Sequence, residues 1–133
     1  MSKHQLQIIS ENDILLALSY TNQLMGTLLV SEIDKQKVLV SISELTRNVL
    51  MHAQSEGEFI CEVNERGLTI LVKDNGKGIP SIDNVMNGIK DPSSQGLGLG
   101  LRGVKRLMDE FYIKSSPKGG TIVIATKWIN QQR

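Results

Sequence analysis

Leu6-Gln7-Ile8-Ile9 is a short apolar stretch that reads as an edge strand. Ser10 followed by Asp13 has the pattern of a capping box, and Ile14, Ala17, Leu18 and Leu24 then recur at helical spacing, which predicts an amphipathic helix ending near Gly26. Ser31-Glu32-Ile33-Asp34 is a second start signal. Val38, Ile42, Leu45 and Val49 follow on one helical stripe, so a second helix should run to about Ala53, with Gly57 closing the connection. The pattern then shortens. Phe59-Ile60-Cys61-Glu62-Val63 and Leu68-Thr69-Ile70-Leu71-Val72 are β-type runs, and Asn64-Glu65-Arg66-Gly67 between them is a hairpin turn. The second run stops at Asp74-Asn75-Gly76-Lys77-Gly78-Ile79-Pro80.

From there to Gln95 the chain is polar and broken by Pro80, Gly88 and Pro92, with room for one short helix around Ile82 to Met86. A loop of this length inside a compact domain is usually functional or mobile. Gly96-Leu97-Gly98-Leu99-Gly100 ends it, and Leu101, Val104, Leu107, Met108 and Phe111 predict a third helix. Two last strands, about Tyr112 to Ser115 and Thr121 to Trp128, flank the turn Ser116-Pro117-Lys118-Gly119-Gly120. Strands that cluster in hairpins predict a mixed, mainly antiparallel sheet. With helices on one face, the fold class is an α/β (α+β) two-layer sandwich.

Composition narrows the function. A chain of 133 residues, 40% apolar, fits one domain over residues 1–133 and can bury a core without disulfides or a structural metal. Fifteen Lys+Arg against fourteen Asp+Glu leave a net charge of +1, which argues against nucleic acid or an anionic membrane as a partner. One cysteine, Cys61, makes neither an internal disulfide nor a Cys-rich zinc site and suits a reducing cytoplasm. No signal-peptide core opens the chain, and no apolar run approaches the roughly 18–20 residues of a membrane helix.

Four groups of residues carry chemistry. Glu44 and Asn48 lie four apart on one face of the second helix, with Ser41 and His52 extending the polar stripe beside the apolar ridge. An amide oxygen there can ligate a hard cation such as Mg2+, and a carboxylate can position or deprotonate a hydroxyl; the plainer alternative is a solvated helix face. Asp74 ends a strand and is followed by Gly76 and Gly78. Such a carboxylate can accept a hydrogen bond from the exocyclic amine of a base, and the glycines let backbone approach a planar ligand, although Asp-Asn-Gly is also an ordinary turn. Gly96, Gly98 and Gly100 open a helix, where free N–H groups and the helix dipole suit phosphates; a flexible hinge would look the same. Gly120-Thr121 opens the last strand, and taken singly is a hairpin turn. A Rossmann reading of Gly98-x-Gly100-x-x-Gly103 fails, because Asp91-Pro92-Ser93-Ser94-Gln95 precedes it instead of a strand and Lys118-Gly119-Gly120-Thr121 stands where the acidic residue is needed. A Walker P-loop is absent.

The order of the four groups is more specific than any one of them. Glu-x3-Asn on a helix, Asp-x-Gly-x-Gly after a strand, a long loop, Gly-x-Gly-x-Gly into a helix and Gly-Thr into a strand resembles the GHKL ATPase/kinase superfamily, over about Ser41 to Thr121. Within it, Ile42-Ser43-Glu44-Leu45-Thr46-Arg47-Asn48, Asp74-x-Gly76-x-Gly78-Ile79-Pro80 and Gly103-Val104-Lys105-Arg106-Leu107-Met108-Asp109-Glu110-Phe111 are similar to the RsbT-type serine kinases of bacterial stressosomes. The resemblance implies a Bergerat ATP-binding fold with a mobile lid from about Ile79 to Gln95. It implies Glu44 as general base, Asn48 as the Mg2+ ligand and Asp74 as the reader of the adenine amine. Gly76, Gly78 and Ile79 would dock the base, Gly96, Leu97, Gly98, Leu99, Gly100 and Leu101 would wrap the phosphates, Thr121 would add a hydroxyl near the adenine, and His52 would stand near the phosphates. Arg102 departs from the subgroup, where Pro or a small residue is expected, and is read as facing solvent.

ATP and Mg2+ are thus the implied cofactors. The acceptor would be a Ser or Thr on a STAS-domain antagonist or scaffold protein, with a PP2C-type phosphatase downstream. The alternative implied by the same superfamily is a nucleotide-dependent anti-sigma factor that sequesters a regulatory partner such as a sigma factor. A conformational ATPase with a transducer domain is the third and least fitting member.

Overall fold

The computed structural model of the chain describes residues 3–53, 56–76, 86 and 100–129. Its elements run β1 (Lys3–Ile8), α1 (Glu11–Gly26), α2 (Glu32–Asn48), a π-helical turn (Val49–Ala53), β2 (Gly57–Asn64), β3 (Gly67–Asp74), α3 (Gly100–Leu107), β4 (Glu110–Ser116) and β5 (Gly120–Trp128). The five strands form one sheet in the order β1-β2-β3-β5-β4, and every pair is antiparallel.

Alternation along the strands divides the sheet into two faces. One face carries Ile8, Phe59, Cys61, Leu68, Ile70, Val72, Val123 and Ala125, which together with Ile14, Ala17, Val38, Ile42 and Val104 from the helices form a single buried core. Each large apolar side chain taken from water here contributes roughly 1.5–3 kcal/mol, so this interface between helices and sheet holds the layers together. At one end Lys127 on β5, 5% exposed, fastens three elements. Its Nζ donates to the Leu107 carbonyl at the end of α3 (3.1 Å) and pairs with Asp34 in the first turn of α2 (3.5 Å) and Asp109 (3.4 Å). The start of α2 and the end of α3 therefore meet there. The other ends of both helices point toward the opposite edge of the core, where Asp74 lies.

Three expectations shift. The second helix is α-helical only to Asn48 and continues as the π turn Val49–Ala53. The third helix stops at Leu107 instead of including Met108 and Phe111. The Asp109 N–H donates to the Thr126 carbonyl (2.9 Å), which starts the ladder to β5, and Phe111 becomes a strand residue opposite Ala125. Phe111 fits a helical stripe and an inward strand position equally well, so spacing alone could not separate them. The sheet is wholly antiparallel among the described strands. The short helix expected around Ile82 to Met86 and the lid from Ile79 to Gln95 lie outside the described residues, except that Met86 is helical and half-buried against the core.

Candidate functional site

The site is built on the last inward-facing row of the sheet. Gly57 of β2 pairs with Asp74 of β3, and Ser115 of β4 pairs with Thr121 of β5. The two pairs are joined by the Thr121 N–H, which donates to Asp74 Oδ1 (3.3 Å). The Gly76 N–H donates to the same oxygen (2.8 Å). Two backbone donors thus fix the carboxylate of Asp74, which is 9% exposed. Among the described residues nothing bonds Oδ2, so the group retains an oriented, unused acceptor. The Ser115 and Thr121 hydroxyls share a hydrogen bond of 2.8 Å beside it.

Glycine makes this crossing of the chain achievable. Gly120 has φ +75°, and a Cβ there would press on the Asp74 carbonyl, 2.8 Å from its carbon and 2.9 Å from Asn75 Cα. On the helix side, a Cβ at Gly57 would sit 2.6 Å from Val49 Cγ1. The residue after Asn48 therefore rests directly on the strand position paired with Asp74. That contact brings the end of α2 over the Asp74 row.

The polar stripe of α2 is enclosed, which removes the reading as a solvated face. Ser41 is fully buried, its hydroxyl without a partner among the described residues, and Glu44 is 9% exposed. No described residue donates a hydrogen bond to the Glu44 carboxylate. Asn48 is half-buried at the helix terminus. His52 lies in the π turn. Gly100, with φ +55°, opens α3, and Leu101 is buried in the core beside it. Because α3 runs back along α2 from the Lys127 anchor, its free N–H groups face the Asp74 end. Gly78, Ile79, Gly96, Leu97, Gly98 and Leu99 lie outside the described residues.

These groups suit an adenine nucleotide. An acceptor-only carboxylate in a mostly enclosed row can take an exocyclic amine, and a helix N-terminus can take phosphate. Among the described residues no cluster of three His, Cys, Asp or Glu could hold a metal by itself. A lone amide oxygen at Asn48 nevertheless suits Mg2+, which keeps water and substrate phosphate as most of its shell. Two shallow clefts on the helix layer, one beside Ile33 and Leu107 and one beside Leu18 and Leu39, contain none of these residues.

Sequence reasoning overlooked Ser115 and the close approach at Gly57. Ser115 could have been found by counting back from Thr121 across the five-residue turn. The contact of Gly57 with Val49 depends on how the helix layer sits on the sheet and leaves no local signal.

Residues 11–127 match the family described as a histidine kinase-like ATPase domain. Over 127 residues, 92% of this chain and 94% of the relative, the sequence is 39% identical to the serine/threonine-protein kinase RsbT of Bacillus subtilis (strain 168). It is 30% identical over 97 residues to the anti-sigma F factor of Clostridium novyi (strain NT), covering 68% of each chain. The histidine kinase domain of the blue-light activated histidine kinase EL346 of Erythrobacter litoralis superposes with a TM-score of 0.61 at 23% identity. The match covers 91% of this chain and 61% of that one, and it speaks for the fold. With residues 11–127 matched and 39% identity to a relative over nearly both whole chains, the chain belongs to the histidine kinase-like ATPase domain family, within the GHKL group.

Proposed function

We propose that this chain is an ATP-dependent protein serine/threonine kinase that phosphorylates a STAS-domain partner in a cytoplasmic, stressosome-type partner-switching pathway, and so releases itself to activate a PP2C-type phosphatase. The observation that carries the nucleotide reading is the Asp74 carboxylate, held through Oδ1 by two backbone N–H groups while Oδ2 has no described partner. The similarity to RsbT, 39% over nearly both whole chains, supports protein phosphorylation over free ATP hydrolysis.

In this reading Asp74 Oδ2 accepts from the adenine amine, and Gly76, Gly78 and Ile79 frame the base. The Thr121 hydroxyl adds a contact at its edge. Gly96 to Leu101 and the start of α3 receive the phosphates, with His52 close by. Asn48 holds Mg2+, which when bound neutralises phosphate charge and fixes its orientation. Glu44 takes the proton of the incoming Ser or Thr hydroxyl as its oxygen bonds to the γ-phosphorus, the γ-phosphoryl leaves the β-phosphate oxygen, and ADP departs. Enclosure of Glu44 keeps bulk water away from that proton transfer.

The similarity to anti-sigma F factors favours a second reading, in which nucleotide mainly tunes the sequestration of a sigma factor or its antagonist. Glu44→Gln separates the two. In a radiolabel transfer assay with a STAS-domain substrate, the variant is expected to bind ATP normally and to lose transfer by roughly 100-fold or more. Unchanged transfer would refute the kinase assignment of Glu44, and intact partner regulation without transfer would favour sequestration.

A further inference from the structure

The outer face of the helix layer carries apolar side chains that no other described element covers. Ile33, in the first turn of α2, is 69% exposed, and Leu29 just before the helix is 63% exposed. Ile33, Val40 and Leu107 line a cleft of about 350 Å³ between α2 and α3, with Lys37 beside them. Val40 also lines the neighbouring cleft, which Leu39 shares with Leu18 of α1. On α2 the lining residues Ile33, Gln36, Lys37 and Val40 recur at i, i+3, i+4 and i+7, one stripe along the helix. A furrow between two helices, floored by such a stripe, has the shape that receives a third helix. An exposed apolar band of this kind marks an interaction surface.

The charges around the α2–α3 cleft indicate the occupant. α3 carries Arg102, Lys105 and Arg106 and no acidic residue. Arg106 immediately precedes Leu107, and Arg102 lies one turn before Arg106, so both stand on the solvent side of the furrow, and both are exposed. Arg102 is in the first turn of α3, where a cation opposes the helix dipole, so the helix itself gains nothing from it. The carboxylates nearby are already paired: Glu32 with Lys35 (3.3 Å), and Asp34 (3.5 Å) and Asp109 (3.4 Å) with Lys127. Lys37, Arg102 and Arg106 have no ion-pair partner among the described residues. An apolar floor under unpaired cations is complementary to apolar side chains flanked by carboxylates. A second copy laid groove to groove would set cation against cation, and a flat anionic bilayer would meet the cations without filling the furrow.

We infer that the cleft between α2 and α3 docks an acidic amphipathic helix of a partner protein. Its apolar residues at i, i+3, i+4 and i+7 seat on Ile33, Val40 and Leu107, and its carboxylates reach Lys37, Arg102 and Arg106. A helix of three turns, about 16 Å long, covers the stretch from Ile33 to Val40, which rises about 10 Å along α2. A contact this small binds weakly in isolation, with a dissociation constant on the order of 100 μM.

Fluorescence anisotropy with the full chain and two labelled helical peptides of about 18 residues tests this. Both carry Leu at i, i+3, i+4 and i+7 with Ala and Gln between; one adds Glu on the flanks, the other Lys at the same places. The acidic peptide should saturate and bind at least 10-fold tighter than the basic one, and should weaken several-fold between about 50 and 300 mM salt. Ile33→Asp, at a fully accessible position, should weaken it at least 10-fold. Lys37→Glu combined with Arg106→Glu should transfer the preference to the basic peptide, because the signs are reversed together. Thermal unfolding of each variant checks that the chain remains folded. No saturable binding of the acidic peptide below about 1 mM overturns the inference. So does equal binding of the two peptides, or acidic-peptide binding indifferent to both Ile33→Asp and the double exchange. Capture of the chain by anionic phospholipid vesicles in preference to the acidic peptide also counts against it.

Discussion

At Gly120 the chain turns back into β5 with φ +75° while lying against the Asp74–Asn75 backbone. Both demands exclude a side chain: the left-handed region strains any L residue, and the neighbour is main chain that cannot rotate away. Gly120→Ala is therefore expected to cost about 3 kcal/mol in urea unfolding and to weaken nucleotide binding, because it displaces the two N–H donors that orient Asp74. A cost below about 1 kcal/mol would show that the turn relaxes freely. Asp74 itself was legible from sequence, since an acidic residue ending an apolar run before Gly-x-Gly is a local pattern. Its fixation by the Thr121 N–H was not, because that donor lies 47 positions further along.

Among the elements, α1 shows how a boundary is written into sequence. The Asp13 carboxylate accepts from the N–H groups of Ile9 (2.8 Å) and Ser10 (3.0 Å), and these backbone bonds hold its pKa below the ordinary carboxylate value of 3.8. A pKa lowered by folding contributes stability that is fully present above the unfolded value and is lost as pH falls through the folded one. Asp13→Ala should thus lower the melting temperature at neutral pH and make it less sensitive to acid below about pH 4, by circular dichroism. An equal loss at pH 7 and pH 2 would contradict the cap. The end of α3 was less readable. Leu107 and Met108 continue the helical stripe, yet β-pairing takes over at Asp109 through Thr126, and Lys127 ties the same corner to Asp34. Tertiary bonds set that boundary, and no window of neighbouring residues contains them.

For the whole molecule, hairpin clustering and a one-sided helix layer were visible in the alternation of the strands, which is why the two-layer architecture followed from pattern alone. Strand order was not. The hairpin β4–β5 joins the sheet with β5 inward against β3, a choice made by the apolar inner residues Val123 and Ala125 and by the Asp74–Thr121 contact. That insertion creates the site: it brings the start of the last strand beside the end of β3, under the terminus of α2. The same register turns Ile60, Leu71, Ile124 and Tyr112 to the opposite face, so Asp74, on the helix-covered side, can be altered without touching the outer face.

Titration calorimetry with Mg-ATP on the wild type and on Asp74→Asn is the most direct test of the adenine assignment. The amide keeps an oxygen for the Gly76 and Thr121 N–H groups, so the fold is preserved, while its NH2 group opposes the adenine amine with a donor. Binding should weaken roughly 10- to 100-fold or more with an unchanged melting temperature. Equal affinity in the two proteins would place the nucleotide, if it binds at all, somewhere other than the Asp74 row.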